Sequence, residues 1–313
     1  VALSPVALDD AAAFTLLVAD MISLPLRLSP LITAILLAST FQAKADDGAL
    51  SAAQAKPLQL AVARPAIAPT APQTRRQAGP SLVEPQLHLT RSDASQRPRV
   101  ALTFDACMGK TDDRILSVLV AERIPATIFV TARWLRTNPQ ALAILKQNAD
   151  LFEIENHGRN HVPAVDLPAS IYGIASAGSS DAVAQEIEGG GDAIRAAGLP
   201  QPQWFRGATA KYDMSAIRQI RGMGYKIAGY SLNGDGGSLL GAALAEKKIS
   251  AAKDGDVVIA HINQPTHAAG EGVARAILTL KKRGVNFVRL QDVDGVGDHE
   301  STQQSHASAT DRP

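Results

Sequence analysis

The chain has 313 residues, room for two domains at roughly 100–200 residues each. Its 31 Lys+Arg against 30 Asp+Glu and its 4% aromatic content exclude a broad polyanion-binding surface and a base-stacking platform. A single Cys excludes an intrachain disulfide scaffold and any Cys cluster for zinc or iron–sulfur, while 46% hydrophobic residues suffice for a sizeable core.

That hydrophobicity is unevenly spread. Residues 28–41 form an apolar run after Arg27 and before Ala43-Lys44-Ala45, the layout of a secretory signal with cleavage expected after Ala45. The run is shorter than the about 20 residues of a membrane span, so membrane contact is expected only through this signal segment. Val1–Asp20 carries three acids and no base, and reads as an extension ahead of a start at Met21. From Asp46 to Pro98 the sequence is rich in Ala, Pro and Gln, with seven prolines and no sustained period. Such a segment buries too little to offset its ordering entropy, and residues 46–98 are expected to be a disordered linker. Residues 294–313 are polar and read as a disordered tail. One folded domain, 99–293, remains, and the signal places it outside the cytoplasm, secreted or periplasmic at a bacterial envelope.

Within it, short apolar runs alternate with helical patterns. In chain order the expected elements are strand Arg99–Phe104, helix Asp112–Glu122, strand Ala126–Thr131, helix Pro139–Asn148, strand Leu151–Glu155 and helix Asp181–Ala197. They continue with strand Gln203–Phe205, helix Met214–Met223, strand Tyr225–Ser231, helix Leu239–Ala252, strand Asp256–His261, helix Gly272–Arg283 and strand Val285–Leu290. Gly198, Gly224 and Gly284 stand where left-handed helix caps are wanted, and Asn138-Pro139 and Asp213 where helices start. Strict alternation means a parallel α/β sheet, either doubly wound or closed as a barrel.

The polar residues favour a barrel. Asp105, His157 with His161, Arg206, Asn233 with Asp235, and His261 with His267 follow five different strands, and a barrel gathers all strand ends around one mouth. His157-x-x-x-His161 is a metal-ligand spacing. Glu153 and Glu155 share its strand parity, so they point inward with His157 and need a cation, a hydrogen-bond network or a salt bridge with Arg206. Asp105 suits a metal ligand or a proton acceptor, and His261 suits protonation of a leaving group. A competing reading takes Gly229-Tyr230-Ser231-Leu232-Asn233 as a partial nucleophile elbow, with Asp256 and His261 completing a serine hydrolase triad.

Thr103-Phe104-Asp105, His157-x-x-x-His161, Phe205-Arg206-Gly207 and Ile259-Ala260-His261 occur in the order seen in polysaccharide deacetylases. From about Arg99 to Val293 the chain resembles this NodB-homology group, carbohydrate esterase family 4. The resemblance implies a distorted (β/α)7 barrel and metal-dependent removal of acetyl groups from glycans, N-acetylated or O-acetylated. It implies Asp105 as base, His157 and His161 as ligands of a divalent metal such as zinc, Arg206 as the residue holding the base, and His261 as acid. Expected partners are a glycan (peptidoglycan, chitin-like or exopolysaccharide) and no nucleic acid.

The chain departs from the family pattern in three places. Ala106 stands where a metal-binding Asp is usual, followed by Cys107. The third motif reads Gly207-Ala208-Thr209-Ala210-Lys211-Tyr212, without its Pro-Tyr pair. The fourth is reduced to Asn233-Gly234-Asp235-Gly236-Gly237, with Asp235 counted among the catalytic candidates. Two histidines under-ligate a catalytic zinc, so a third donor is needed: Asp105 first, then Glu155, then Cys107. The same departures motivate an alternative, a catalytically degenerate glycan-binding module. Gly189-Gly190-Gly191 and Gly234–Gly237 lack phosphate-loop spacing and read as flexible loops. Trp134, Trp204, Tyr212 and Tyr230 are candidates for sugar stacking, with Trp204 better suited to core packing. Residues 263–267 are expected to form one wall of the cleft.

Overall fold

The computed structural model describes residues 81–93 and 96–293. The elements are β1 (Arg99–Ala106), α1 (Asp113–Ala121), β2 (Ala126–Val130), α2 (Ala132–Thr137), α3 (Pro139–Gln147), β3 (Phe152–Asn156), the hairpin strands β4 (Ser170–Ile171) and β5 (Ile174–Ala175), and α4 (Ser180–Ala196). There follow β6 (Trp204–Phe205), α5 (Met214–Gly222), β7 (Lys226–Ile227), β8 (Leu232–Asn233), α6 (Ala242–Ser250), β9 (Asp256–His261), α7 (Ala269–Lys282) and β10 (Asn286–Val288). The main sheet runs β7-β6-β3-β2-β1-β9-β8, every pairing parallel, and β10 joins the lower half of β1.

Strand parity builds two cores. On β1, Val100, Leu102, Phe104 and Ala106 face the helices with Ile128, Ile277 and Leu280. Ala101 faces the concave side with Phe129, Trp204, Val257 and Leu290. Each large apolar side chain fully buried this way contributes about 1.5–3 kcal/mol. The polar residues of that inner parity, Thr103 and Asp105, lie above the inner core toward the strand ends.

The sheet is a curled, open half-barrel flanked by helices, the distorted form of the expected barrel. β7 and β8 are its two ends, and the expected strand Tyr225–Ser231 is interrupted between them. There the carbonyls of Ala228 and Gly229 accept from the Arg206 side chain rather than from a neighbouring strand. At Gly229 an added Cβ would stand 2.2 Å from the Pro85 carbonyl oxygen, so only glycine admits the segment crossing that gap.

The crossing segment corrects the expected linker. Val83 pairs with Tyr212, His88 with Asp256, and Leu87 and Leu89 are 1% and 3% exposed in the inner core. Residues 81–93 therefore belong to the fold, because an open sheet needs apolar cover along its gap. The signal region, residues 1–20 and 21–45, the earlier part of the linker and the tail 294–313 lie outside the described residues. A second correction concerns Gly189-Gly190-Gly191, which lie in the middle of α4 rather than in a loop. The helix α2 and the hairpin β4–β5 are additions to the expected elements.

Candidate active site

The first strand ends in Asp105 and Ala106, and Cys107 follows it directly. Asp105 Oδ1 accepts from Arg206 Nη1 at 2.9 Å, both residues being buried. Arg206 is fully committed: Nη2 donates to Thr103 Oγ1 at 2.9 Å and Gly229 O at 3.0 Å, Nε to Ala228 O at 3.1 Å, and the guanidinium lies 4.3 Å over the Phe129 ring. Burial works against the Asp105 carboxylate, yet His157, Arg206 and His261 together hold its pKa below the usual carboxylate range. Asp105 is thus held ionised, with Arg206 as its partner. The glutamates have no part in a salt bridge with that arginine.

The histidine loop leaves β3 and is clamped by α4. Asn156 Nδ2 donates to Ile187 O at 2.8 Å, and Glu186 Oε1 accepts from the backbone of Asn160 at 2.8 Å and Val162 at 3.1 Å. The glycines of α4 permit this approach: a Cβ at Gly190 would lie 2.1 Å from Asn156 Oδ1 and 2.9 Å from Gly158 Cα. Three helical glycines cost about 3 kcal/mol of helix propensity against alanine, so the close clamp on the loop explains their presence. No motif in the sequence announces it, although a triple glycine inside an amphipathic pattern is the available signal.

His157 Nδ1 pairs with the Arg206 carbonyl at 2.5 Å, which leaves Nε2 facing Cys107 Sγ at 3.4 Å. The His157 and His161 rings meet edge to face, 5.1 Å between centroids. Thr131 Oγ1 donates to the Cys107 carbonyl and fixes the thiol-bearing residue. Burial alone would raise the Cys107 thiol, but the imidazoles of His157, His161 and His261 bring its pKa well below the ordinary thiol value.

On the other wall, His261 Nδ1 lies 3.0 Å from Asp235 Oδ1, and Asp235 Oδ2 accepts from the His261 backbone at 2.6 Å. Asp235 is fully buried. Burial disfavours the imidazolium, yet Asp235 outweighs it and raises the His261 pKa well above 6.5, which suits a proton donor. The loop Gly234–Gly237, read as flexible, is what seats Asp235.

Of the three expected third donors, the least favoured one completes the ligand cluster. Cys107, His157 and His161 place one donor atom each within 4.8 Å of one another. Asp105 holds Arg206 through Oδ1, and its Oδ2 stands 3.8 Å from His157 Nε2, beside the trio but outside it. Glu155 is excluded by its own partners, since its Oε2 accepts from the backbone of Gln203 at 2.8 Å and Trp204 at 2.7 Å. Burial and the neighbouring Glu153 push its carboxyl up to about 9, so it is protonated and forms the floor of the site.

The remaining candidates are structural. Ser231 Oγ donates to Asp256 Oδ1 at 2.8 Å, at the start of β9, whereas His261 ends that strand. Five residues of strand separate them by roughly 16 Å, so the serine triad does not form. Trp134, Trp204 and Tyr212 are 1%, 3% and 0% exposed and are core residues; Tyr230 is partly buried, its hydroxyl on Glu84. His267 Nδ1 pairs with the Ser238 carbonyl at 2.9 Å, away from the cluster. Asn263 is buried and donates to the Met108 carbonyl, next to Cys107 in the chain.

The cluster fits a divalent metal. His161 Nδ1 is buried without a hydrogen-bond partner among the described residues, and the His157 tautomer is fixed by a backbone carbonyl, the outer arrangement usual for ligating imidazoles. Zinc ligands at 2.0–2.3 Å in tetrahedral array lie roughly 3.3–3.8 Å apart, so the trio needs to contract by about 1 Å at its widest. One sulfur and two nitrogens form a soft donor set that suits zinc.

The family profile described as polysaccharide deacetylase matches residues 92–228. The peptidoglycan deacetylase PdaC from Bacillus subtilis superposes with a TM-score of 0.53 at 17% identity, covering 69% of this chain and 99% of that one. A CE4 family pseudoenzyme from Bacillus anthracis superposes with a TM-score of 0.50 at 19% identity, covering 65% of this chain and 67% of that one. No curated sequence relative matches. The profile match over residues 92–228 and the half-barrel make the chain similar to the polysaccharide deacetylases, at low identity to the solved members.

Proposed function

We propose that the protein is a metal-dependent hydrolase that removes acetyl groups from an N-acetylated glycan, with the metal centre rebuilt around Cys107. The observation that carries this reading is the convergence of Cys107, His157 and His161 beside two ion pairs, Asp105 with Arg206 and His261 with Asp235. A divalent ion held by the trio would polarise the acetyl carbonyl and acidify a water. Asp105 accepts the proton of the attacking water, and Arg206 keeps that carboxylate ionised and aimed. His261 donates a proton to the departing nitrogen, which an amide requires because its anion is a poor leaving group. Asp235 holds the imidazole in the orientation that presents Nε2 to the substrate.

A second reading, a catalytically degenerate glycan-binding module, has its own support and is the one toward which the comparisons lean. Ala106 stands where the family carries an acidic metal ligand, and one structural relative is described as a pseudoenzyme. One experiment separates the two. The purified chain is incubated with an N-acetylglucosamine tetramer, with and without added zinc, and the loss of 42 Da per acetyl group is followed by mass spectrometry. Zinc-dependent loss that stops on chelation supports the hydrolase. Binding of the tetramer without any mass loss, across zinc, cobalt and manganese, overturns it in favour of the binding module.

A further inference from the structure

The four aromatic residues that the sequence offers for sugar stacking are buried or engaged, and among the described residues an exposed aromatic stands elsewhere. Tyr172 is 74% exposed at the tip of the β4–β5 hairpin, where Ile171 pairs with Ile174 and Ser170 with Ala175. The two turn residues, Tyr172 and Gly173, have φ of 51° and 79°. A two-residue hairpin turn with both φ positive favours Asn-Gly, and a bulky aromatic is uncommon in that conformation. The tip is nonetheless well supported. Ile171 is buried, Ser176 N donates to Ala169 O at 2.9 Å, and Ser176 Oγ bridges the Ala169 N–H and the Leu167 carbonyl. Lys211 Nζ stands 4.8 Å from the ring centroid and orients the ring by a cation–π contact.

Both partners sit on segments that follow strands of the main sheet. The hairpin lies on the segment that follows β3 and carries His157 and His161, and Lys211 lies on the segment that follows Arg206 after the adjacent β6. At the hairpin base, a cleft of about 270 Å³ is lined by the polar residues Arg159, Asn160, Ser176, Gln185 and Glu186 together with Val162 and two alanines. The side chains of Arg159, Asn160 and Gln185 make no hydrogen bond there to the described residues. An exposed, oriented aromatic face on a hairpin whose base lines a cleft of mixed polar and apolar character is the chemistry that binds a pyranose, apolar on its C–H face and polar at its rim.

We propose that the β4–β5 hairpin is a glycan-binding arm in which Tyr172 stacks on a sugar ring neighbouring the one at the catalytic centre, an assignment that rests on the glycan reading of the site. The test is calorimetric titration of the full chain with an N-acetylglucosamine tetramer, comparing wild type, Tyr172→Phe and Tyr172→Asn. Asparagine suits the turn, so Tyr172→Asn removes the ring while leaving the melting temperature unchanged or higher. Loss of one aromatic contact weakens binding roughly two- to tenfold, whereas Tyr172→Phe, which keeps the stacking face, stays within about twofold of wild type. Tyr172→Asn binding as tightly as wild type overturns the arm alone. No tetramer binding by wild type overturns the glycan reading and the arm with it.

Discussion

Replacing Glu155 by Gln tests the floor on which the site stands. Glu155 is 3% exposed, and burial with the charge of Glu153 pushes its carboxyl from 4.5 up to about 9. The folded protein therefore holds a proton that the unfolded chain releases above about pH 4.5. An acid with a raised folded pKa contributes stability that is fully present below the unfolded value and is lost as pH rises through the folded value, here between about 4.5 and 9. The slope is about 1.4 kcal/mol per pH unit, so between pH 5 and pH 7 wild type loses on the order of 3 kcal/mol through this group. The substituted glutamine keeps an oxygen for the Gln203 and Trp204 amides and does not titrate. Urea unfolding at pH 5, 7 and 9 measures the difference. Glu155→Gln is expected to gain on wild type by about 3 kcal/mol from pH 5 to 7. A stability gap that stays constant with pH would refute the protonated-floor reasoning.

Other outcomes follow from the same contacts. Gly190→Ala raises helix propensity by about 1 kcal/mol yet is expected to destabilise the protein, because its Cβ meets Asn156 and Gly158, and to weaken metal binding; a higher melting temperature would contradict the clamp. Arg206→Ala leaves Asp105 buried without its partner and should cost about 3–5 kcal/mol in denaturant unfolding. Asp105→Asn and His261→Ala should each lower the deacetylation rate by roughly 10²–10⁴-fold with the fold intact by circular dichroism, and near-normal rates would remove their roles. Cys107→Ser should reduce zinc affinity, measured by competition with a chromogenic chelator, by more than the roughly 10–100-fold lost with an outer-sphere partner.

The fold is legible where period and punctuation agree. The β–α alternation, the caps at Gly198, Gly224 and Gly284 and the N-cap Asp213 stand where local chemistry puts them. The strap at residues 83–89 is hidden because Pro80, Pro85 and Pro98 mask the Leu87-x-Leu89 alternation, and because only the three-dimensional gap between β7 and β8 creates a need for it. Within the site, strand parity yields the inward set of Glu153, Glu155 and His157. It does not yield their partners: Glu155 is seated by the Gln203 and Trp204 amides, from a strand distant in the sequence. Cys107 ranks last among third donors in the sequence because distance along the chain from His157 carries no information about Sγ. Tyr172 escapes notice there because an aromatic before glycine reads as a strand residue, and only the positive φ shows that it caps a turn.

The claim that Cys107 joins His157 and His161 around one ion is tested most directly by X-ray absorption on the zinc-loaded full chain. A coordination shell with one sulfur at about 2.3 Å and two imidazole nitrogens at about 2.0–2.1 Å, the sulfur lost in Cys107→Ser, is the predicted result. A shell of nitrogen and oxygen alone in the wild-type protein, unchanged in Cys107→Ser, would contradict it.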